Sequence, residues 1–421
     1  MRNIFDQYQQ PENRLSHALL TALKEDKALL IRFVQLVTGK VAPKRSLQIT
    51  EQSVPGQLEP SENEKRGLPD GWIYSEDDWC ILIESKVESD FSRSQLQRHR
   101  ATAARCGFTQ IFLVGITGFT DPKNTIELDK ILSWKQIYAW LKASSQKSYW
   151  ASQVASYFEV AEVKMSEGGQ LKQSTLTEFT GIPFSADQQY SYGEGKRLLK
   201  LIMAELRASK ALTQNLNVDS NAPGRTAITG TNEQRVWDYL SFNSPASRKA
   251  FTKSPHLTLG LHADTLSVMF TIPNSVAPNI RRNLCSLNKD GFEHLLARVV
   301  ANMESMSTWD ENIQPWFNGQ QRHYKSQRSP PTIDAAIQFD LRTAIKVNLK
   351  ADKKKIPVKY QPWWLDAAFG ALTEKRESNY QVQIGALAPY DKVNVTRSNK
   401  CIDLIVDIWT ACSPVIDEAF K

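Results

Sequence analysis

The residues best suited to chemistry lie between positions 69 and 86. Pro69-Asp70 is followed, after thirteen residues, by Glu84-Ser85-Lys86. Glu84 and Lys86 are two apart, so in a strand their side chains leave the same face. The run before them, Trp79-Cys80-Ile81-Leu82-Ile83, reads as a buried strand. A carboxylate and an ammonium at the end of such a strand are costly unless they pair or bind something. Gly71–Tyr74 and Trp79–Lys86, separated by the turn-like Ser75-Glu76-Asp77-Asp78, read as a β-hairpin with Asp70 in its first arm. Two carboxylates and a lysine are then expected to converge in one cleft, the carboxylates close enough to share a metal ion.

Register decides whether they do. Opposed residues of a hairpin share a face. A four-residue loop, Ser75–Asp78, pairs Asp70 with Ile83 and turns it away from Glu84. Convergence requires an odd-length loop or a one-residue bulge, for which Gly71 is a suitable place. Acidic-x-Lys triplets alone say little: Glu25–Lys27, Asp121–Lys123, Glu162–Lys164, Glu194–Lys196 and Asp352–Lys354 also match. Only Glu84-Ser85-Lys86 has both an apolar strand before it and an upstream Pro-Asp. The plainer alternative is a surface salt bridge at a strand end.

Several elements must position these residues. Leu15, Ala18, Leu19, Ala22 and Leu23 recur at helical spacing behind Pro11, which suits a first helical turn, and Glu12, which favours a helix N-terminus. A second helix, about 27–38, ends before Gly39. Pro55–Gly67 reads as a loop. A helix over 92–105 with Gly107 as its stop leads to a buried strand, Thr109–Gly115. Strand, helix, strand implies a right-handed crossover in a mixed or parallel sheet. Ser133 caps a helix at Trp134–Leu141, and another spans about 147–162.

These parts, in this order, resemble the PD-(D/E)XK nuclease superfamily over residues 1 to about 145. The resemblance rests on Pro11-Glu12-Asn13-Arg14-Leu15 in the opening helix, Pro69-Asp70, and Glu84-Ser85-Lys86. It continues through Ser94-Gln95-Leu96-Gln97-Arg98-His99, the strand Ile111–Gly115 and the helix at Leu132–Tyr138. The Gln95 helix is similar to that of the RecB-like branch, where an aromatic residue usually stands four places after the Gln; this chain has His99 there. The resemblance implies an α/β fold in residues 1–165: a restriction-endonuclease-like mixed sheet flanked by helices.

It also implies a Mg²⁺-dependent hydrolysis of DNA phosphodiester bonds, with Mn²⁺ able to substitute. Asp70, Glu84 and the backbone carbonyl of Ser85 are then metal ligands, and Glu12 helps directly or through water. Lys86 orients or deprotonates the attacking water and stabilises developing charge. Gln95 contacts a phosphate or the metal's water. Hard divalent cations bound by oxygen ligands suit this chemistry. The bland readings are a helix-dipole role for Glu12 and a solvated helix position for Gln95. Arg98 and Arg100 read either as phosphate contacts or as a solvated helix face.

With 41% hydrophobic and 23% charged residues, the 421-residue chain has ordinary globular composition rather than that of a disordered one. No apolar run is long enough to cross a membrane, and no secretory signal opens the chain. The five cysteines, Cys80, Cys106, Cys285, Cys401 and Cys412, are scattered and form no CxxC, which argues against a disulfide framework and a structural zinc site and suits a reducing cytoplasm. The six histidines make no HExxH. No GxSxG and no phosphate-binding loop occur, so serine-hydrolase and ATP-driven chemistry lack support.

A composition break at Ser166-Glu167-Gly168-Gly169-Gln170 opens a linker over 166–195, and residues 196–421 read as an α+β domain. Its expected elements are a helix at Lys196–Arg207, a hairpin joining His256–His262 to Thr265–Ile272, helices near 291–304, 363–376 and 400–411, and strands near 335–349 and 379–387. Residues 1–165 carry 21 basic and 20 acidic groups, the remainder 31 and 25, so the surplus of +7 belongs almost wholly to the C-terminal part. Two basic stretches there interleave with aromatics. One holds Arg322, Lys325 and Arg328; the other holds Lys353, Lys354 and Lys355 ahead of Trp363-Trp364. They are candidates for phosphate neutralisation and base stacking, or for docking a partner protein.

The sequence therefore reads as a cytoplasmic nuclease acting on DNA, and the resemblance implies a setting of restriction or antiviral defence. DNA is its expected partner, with a protein partner of a defence system as a further one and no membrane. A homodimer fits cutting of both strands. Its rivals are a catalytically inactive nucleic-acid-binding or scaffold subunit of a defence complex, and a nuclease directed at RNA.

Overall fold

The computed structural model describes residues 8, 10–41, 46–55, 68–75, 78–119, 121–171, 174–186, 188–225, 235–243, 252–276, 278–323, 325, 332–346, 358–373 and 380–421. The chain is mixed α/β and forms two units, Met1–Glu178 and Phe179–Lys421. No described helix is long and apolar enough to cross a membrane.

The first unit begins with helices α1 (Pro11–Glu25) and α2 (Lys27–Thr38), joined at Asp26, whose side chain accepts the Leu29 N–H. Strands β1 (Gln48–Glu51), β2 (Gly71–Ser75) and β3 (Trp79–Lys86) follow. Next come α3 (Arg93–Arg105), β4 (Gln110–Thr117), β5 (Lys130–Ser133), α4 (Trp134–Ser144) and α5 (Tyr149–Glu167). The sheet order is β1-β2-β3-β4-β5; the first two pairings are antiparallel, the last two parallel. The β3–α3–β4 unit is thus a crossover between parallel neighbours, as the strand–helix–strand pattern requires.

Strand β3 is central and covered on both faces, which explains its unbroken apolar run. Ile81 and Ile83 join the larger core built with α1, α2, α4 and α5. Cys80 and Leu82 join a smaller one with Trp72, Phe91, Leu96 and Ala103. The same alternation carries Glu84 and Lys86 to the side of α3 and Ser85 to the side of α1.

The stretch expected as a linker is packed rather than free. Leu171 and Leu176 lie in the first unit's core, and buried Glu162 accepts the backbone N–H of Leu176. The division falls after Glu178; Phe179, Ile182 and Phe184 lie in the second unit's core.

The second unit holds helices α6 (Tyr192–Ala208) and α7 (Lys210–Leu216), then strands β6 (Arg235–Ser241), β7 (His256–His262) and β8 (Thr265–Ile272). It continues with α8 (Pro278–Cys285), α9 (Asn288–Glu304), β9 (Gln314–His323), β10 (Thr332–Asp340), α10 (Pro362–Thr373), β11 (Tyr380–Pro389), α11 (Cys401–Ala411) and α12 (Ser413–Phe420). Its six strands are all antiparallel, in the order β10-β9-β11-β8-β7-β6. The expected β7–β8 hairpin forms around Ala263-Asp264. Strand β10 is shorter than the 335–349 expectation: after Asp340 the chain makes a single turn at Leu341–Thr343. A ladder of polar side chains crosses five of these strands. Gln338 donates to Asn318 (3.2 Å), Asn318 to Gln383 (2.8 Å) and Gln383 to Thr271 (3.0 Å), and the Thr271 and Thr258 hydroxyls pair at 2.6 Å.

Close backbone packing ties the end of β3 to β4. The Gly118 N–H donates to the Lys86 carbonyl (3.1 Å), and a Cβ at Gly118 would stand 2.3 Å from the Val87 carbonyl oxygen and 2.7 Å from Ser174 Cβ. Backbone cannot yield as a side chain does. Gly118→Ala is expected to destabilise the protein by about 1–3 kcal/mol, read as a lower urea midpoint. An unchanged midpoint would show that this end of β3 is loosely held.

Candidate active site

The β2–β3 register answers the question the sequence left open. Gly71 pairs with Ile83 and Ser75 with Trp79, so the connection is Glu76–Asp78, three residues rather than four. Ser75 belongs to the strand. The odd-length loop places Asp70 across from Glu84 instead of Ile83, as convergence requires.

Glu84 is 1% exposed. One of its oxygens pairs with the Lys86 ammonium at 2.6 Å, the other with His99 Nε2 at 2.9 Å. His99 is fully buried. Burial pushes the Glu84 carboxyl up, but the His99 hydrogen bond and the Lys86 charge outweigh it and hold the group below the usual carboxylate value. For Lys86, burial favours the neutral amine, yet Glu84, then Glu12 and Asp70, keep its pKa above the ordinary lysine value. The ammonium is the cation that these three carboxylates share.

Asp70 is half-buried. Its Oδ2 accepts both the Ser85 N–H (2.7 Å) and the Ser85 hydroxyl (2.7 Å), and Ser85 Oγ lies 2.6 Å from Ser16 Oγ of α1. Loss of hydration and the neighbouring Glu84 charge push the Asp70 carboxyl up to about 7, against the Ser85 hydrogen bonds and Lys86. Glu12 reaches the same region from the first turn of α1, where its Oε1 accepts the Val87 N–H (2.9 Å) and the Ser89 hydroxyl (3.3 Å). It is therefore anchored to the end of β3 and is not only a partner of its own helix dipole. Gln95 of α3 is half-buried. Glu12, Asp70, Glu84, Lys86 and Gln95 line a single cavity of about 440 Å³, together with Gln10, Asn13, Gln52, Leu68 and Pro69.

The other expected contacts divide. Arg98 is exposed on α3. Arg100 is not a free phosphate ligand: it donates to the Glu127 carbonyl (2.9 Å) and to Asp129 (2.6 Å), clamping the segment before β5. Arg322 is engaged by Gln320 and by Gln381 (2.6 Å) within the second unit's sheet, and Lys325 is exposed. Arg328, Lys353, Lys354 and Lys355 lie outside the described residues. His17 pairs with Glu51 at 2.8 Å and packs edge-on against Tyr8, a structural role. His99 is the site residue that sequence reasoning left without a role. The available signal was its place four residues after Gln95, one helical turn along the same face.

The donors are carboxylate oxygens, which suit a hard divalent cation rather than zinc or copper. Among the described residues, no group of three or more His, Cys, Asp or Glu side chains is arranged to hold a metal ion. A cation here would rest on Asp70 and Glu84 with water completing its shell, an arrangement Mg²⁺ favours. No known family model matches the chain, and comparison with curated proteins finds no significant match.

The raised Asp70 pKa carries a pH signature. The folded chain retains a proton that the unfolded chain releases at its ordinary value of 3.8, so between about pH 4 and 7 Asp70 costs stability increasingly as pH rises. In EDTA, Asp70→Asn is expected to gain stability over the parent at about pH 8 and to lose that advantage near pH 4. Urea denaturation at both values measures it. An equal difference at the two would show that Asp70 is not the titrating group.

Proposed function

We propose that residues 1–165 form a Mg²⁺-dependent nuclease of restriction-endonuclease-like fold that hydrolyses DNA phosphodiester bonds, in a setting of restriction or antiviral defence. One observation carries the reading: the three-residue β2–β3 connection sets Asp70 opposite Glu84, beside Lys86, in a cavity that Glu12 and Gln95 also line. The mixed sheet with a parallel β3–α3–β4 crossover supports the fold assignment. So does the order of elements that carry these residues.

Asp70, Glu84 and the Ser85 carbonyl would hold the Mg²⁺, with Glu12 at its edge. When bound, the ion supplies neutralisation of the pentavalent transition state and an acidified water nucleophile. The chain's own groups do the rest. His99 and Lys86 each hold one Glu84 oxygen and so fix the orientation of the carboxylate. Ser85 holds Asp70 through two hydrogen bonds. Lys86, kept protonated by its acidic neighbours, donates to a phosphate oxygen and offsets developing negative charge. That environment favours the donor role over proton abstraction. Gln95 offers a neutral donor to the substrate from the cavity wall. The second unit, which carries most of the positive surplus, supplies target or partner binding.

The test is cleavage of plasmid, linear DNA and RNA in Mg²⁺, Mn²⁺ or EDTA. The parent is expected to cut DNA only with a divalent cation. Glu84→Ala and Lys86→Ala are expected to lose roughly 100-fold or more in rate, as removal of an electrostatic stabiliser does elsewhere. Cutting undiminished in both variants would reject the site. Cutting of RNA alone would reassign the substrate.

A further inference from the structure

Gln52 lies in the turn after β1 with a backbone φ of +46°, in the left-handed region that side chains other than Asn, Asp and His rarely enter. Its N–H donates to the carbonyl of Asp70 (3.3 Å), so this turn is fastened to the residue that begins the site. Glycine would adopt this conformation without strain. The chain instead carries a long amide that lines the cavity beside Asp70 and Glu84. No hydrogen bond to another described residue holds that amide, nor those of Gln10, Asn13 and Gln95 on the same cavity.

Strained backbone of this kind clusters at functional sites, where the surrounding structure holds it in place. Charge says what the side chain faces. Among the described residues, the cavity has three carboxylates and one ammonium, and the remaining polar wall is neutral amide. Of these groups, Lys86 and a bound cation would neutralise phosphate. An amide donates and accepts without charge, and base edges present that pairing. A cavity of about 440 Å³, open to solvent, has room within its walls for a nucleotide or two, so a base that enters it must leave its stack.

Resting on the nuclease reading, we propose that Gln52 is a substrate-contacting residue that hydrogen-bonds the base of an unpaired nucleotide next to the scissile phosphate, at the head of a wall of amides. The site thus takes a single strand or a frayed end.

The test uses the otherwise unsubstituted full chain with Ca²⁺ in place of Mg²⁺, a cation that takes the same oxygen ligands while cleavage is held off. Binding of a fluorescein-labelled single-stranded oligodeoxynucleotide is followed by anisotropy over a salt series, beside a thermal melt. Gln52→Gly is expected to melt higher by roughly 2–4 °C, because strain is relieved. It is expected to bind about tenfold more weakly, as loss of one or two neutral hydrogen bonds requires. The slope of log affinity against log salt is expected to stay unchanged, because no phosphate contact is lost. Gln52→Asn, which keeps an amide and tolerates this backbone, is expected to recover part of the affinity. A glycine variant that binds as tightly as its parent overturns the proposal and leaves the nuclease reading intact. A glycine variant that loses stability along with binding overturns it too, by showing a structural role. Failure of the parent to bind any strand would overturn both.

Discussion

The first unit depends on a buried carboxylate. Placing Glu84 at the end of a fully covered central strand costs several kcal/mol in lost hydration unless partners are held in place. Two are: Lys86, two residues on along β3, and His99, brought by the α3 crossover. Each fixes one oxygen. The remaining geometry of the site follows from that requirement. Helix α3 must lie over the end of β3, the strand must end at Lys86, and β4 must run parallel beside it, with Glu84 opposite Gly115. Removing either partner leaves a charge in a place designed for a pair, which is the costly case.

Around that group the charges are unbalanced by design. Among the described residues Glu12, Asp70 and Glu84 face one ammonium; the crowding shows in the raised Asp70 carboxyl, while the raised Lys86 pKa records the carboxylates' favourable hold on its charge. The raised Asp70 carboxyl lowers stability locally at neutral pH. The near neutrality of residues 1–165 contrasts with the positive surplus of the second unit.

Much of the site was legible because it rests on short-range spacing. Glu84 and Lys86 share a face by strand periodicity alone, and the helix with Gln95 was fixed by Gly107 beyond its end. Asp70 was not settled. Ser75 looks like a turn residue but is the last residue of β2, and that single position decides between a three- and a four-residue loop. His99 was visible as a deviation from a family pattern, yet its partner is fifteen residues away, a relation only the fold creates. Strand β1, Gln48–Glu51, escaped notice because a four-residue edge strand has no buried alternation to show. Strand β9 escaped because its polar side chains find partners only in the sheet, Asn318 with Gln383 and Arg322 with Gln381 of β11, so its sequence reads as polar loop. Gln52 carries no sequence signal at all; its backbone angle is a product of the β1–β2 pairing.

The central claim is that Asp70 and Glu84 together hold a divalent cation. The most direct measurement is anomalous diffraction at the manganese edge from crystals soaked in Mn²⁺, for the parent chain and for Glu84→Gln. The account expects a peak between the Asp70 and Glu84 carboxylates in the parent and none in the variant. A parent map without a peak there, or one whose peak survives the substitution, would contradict it.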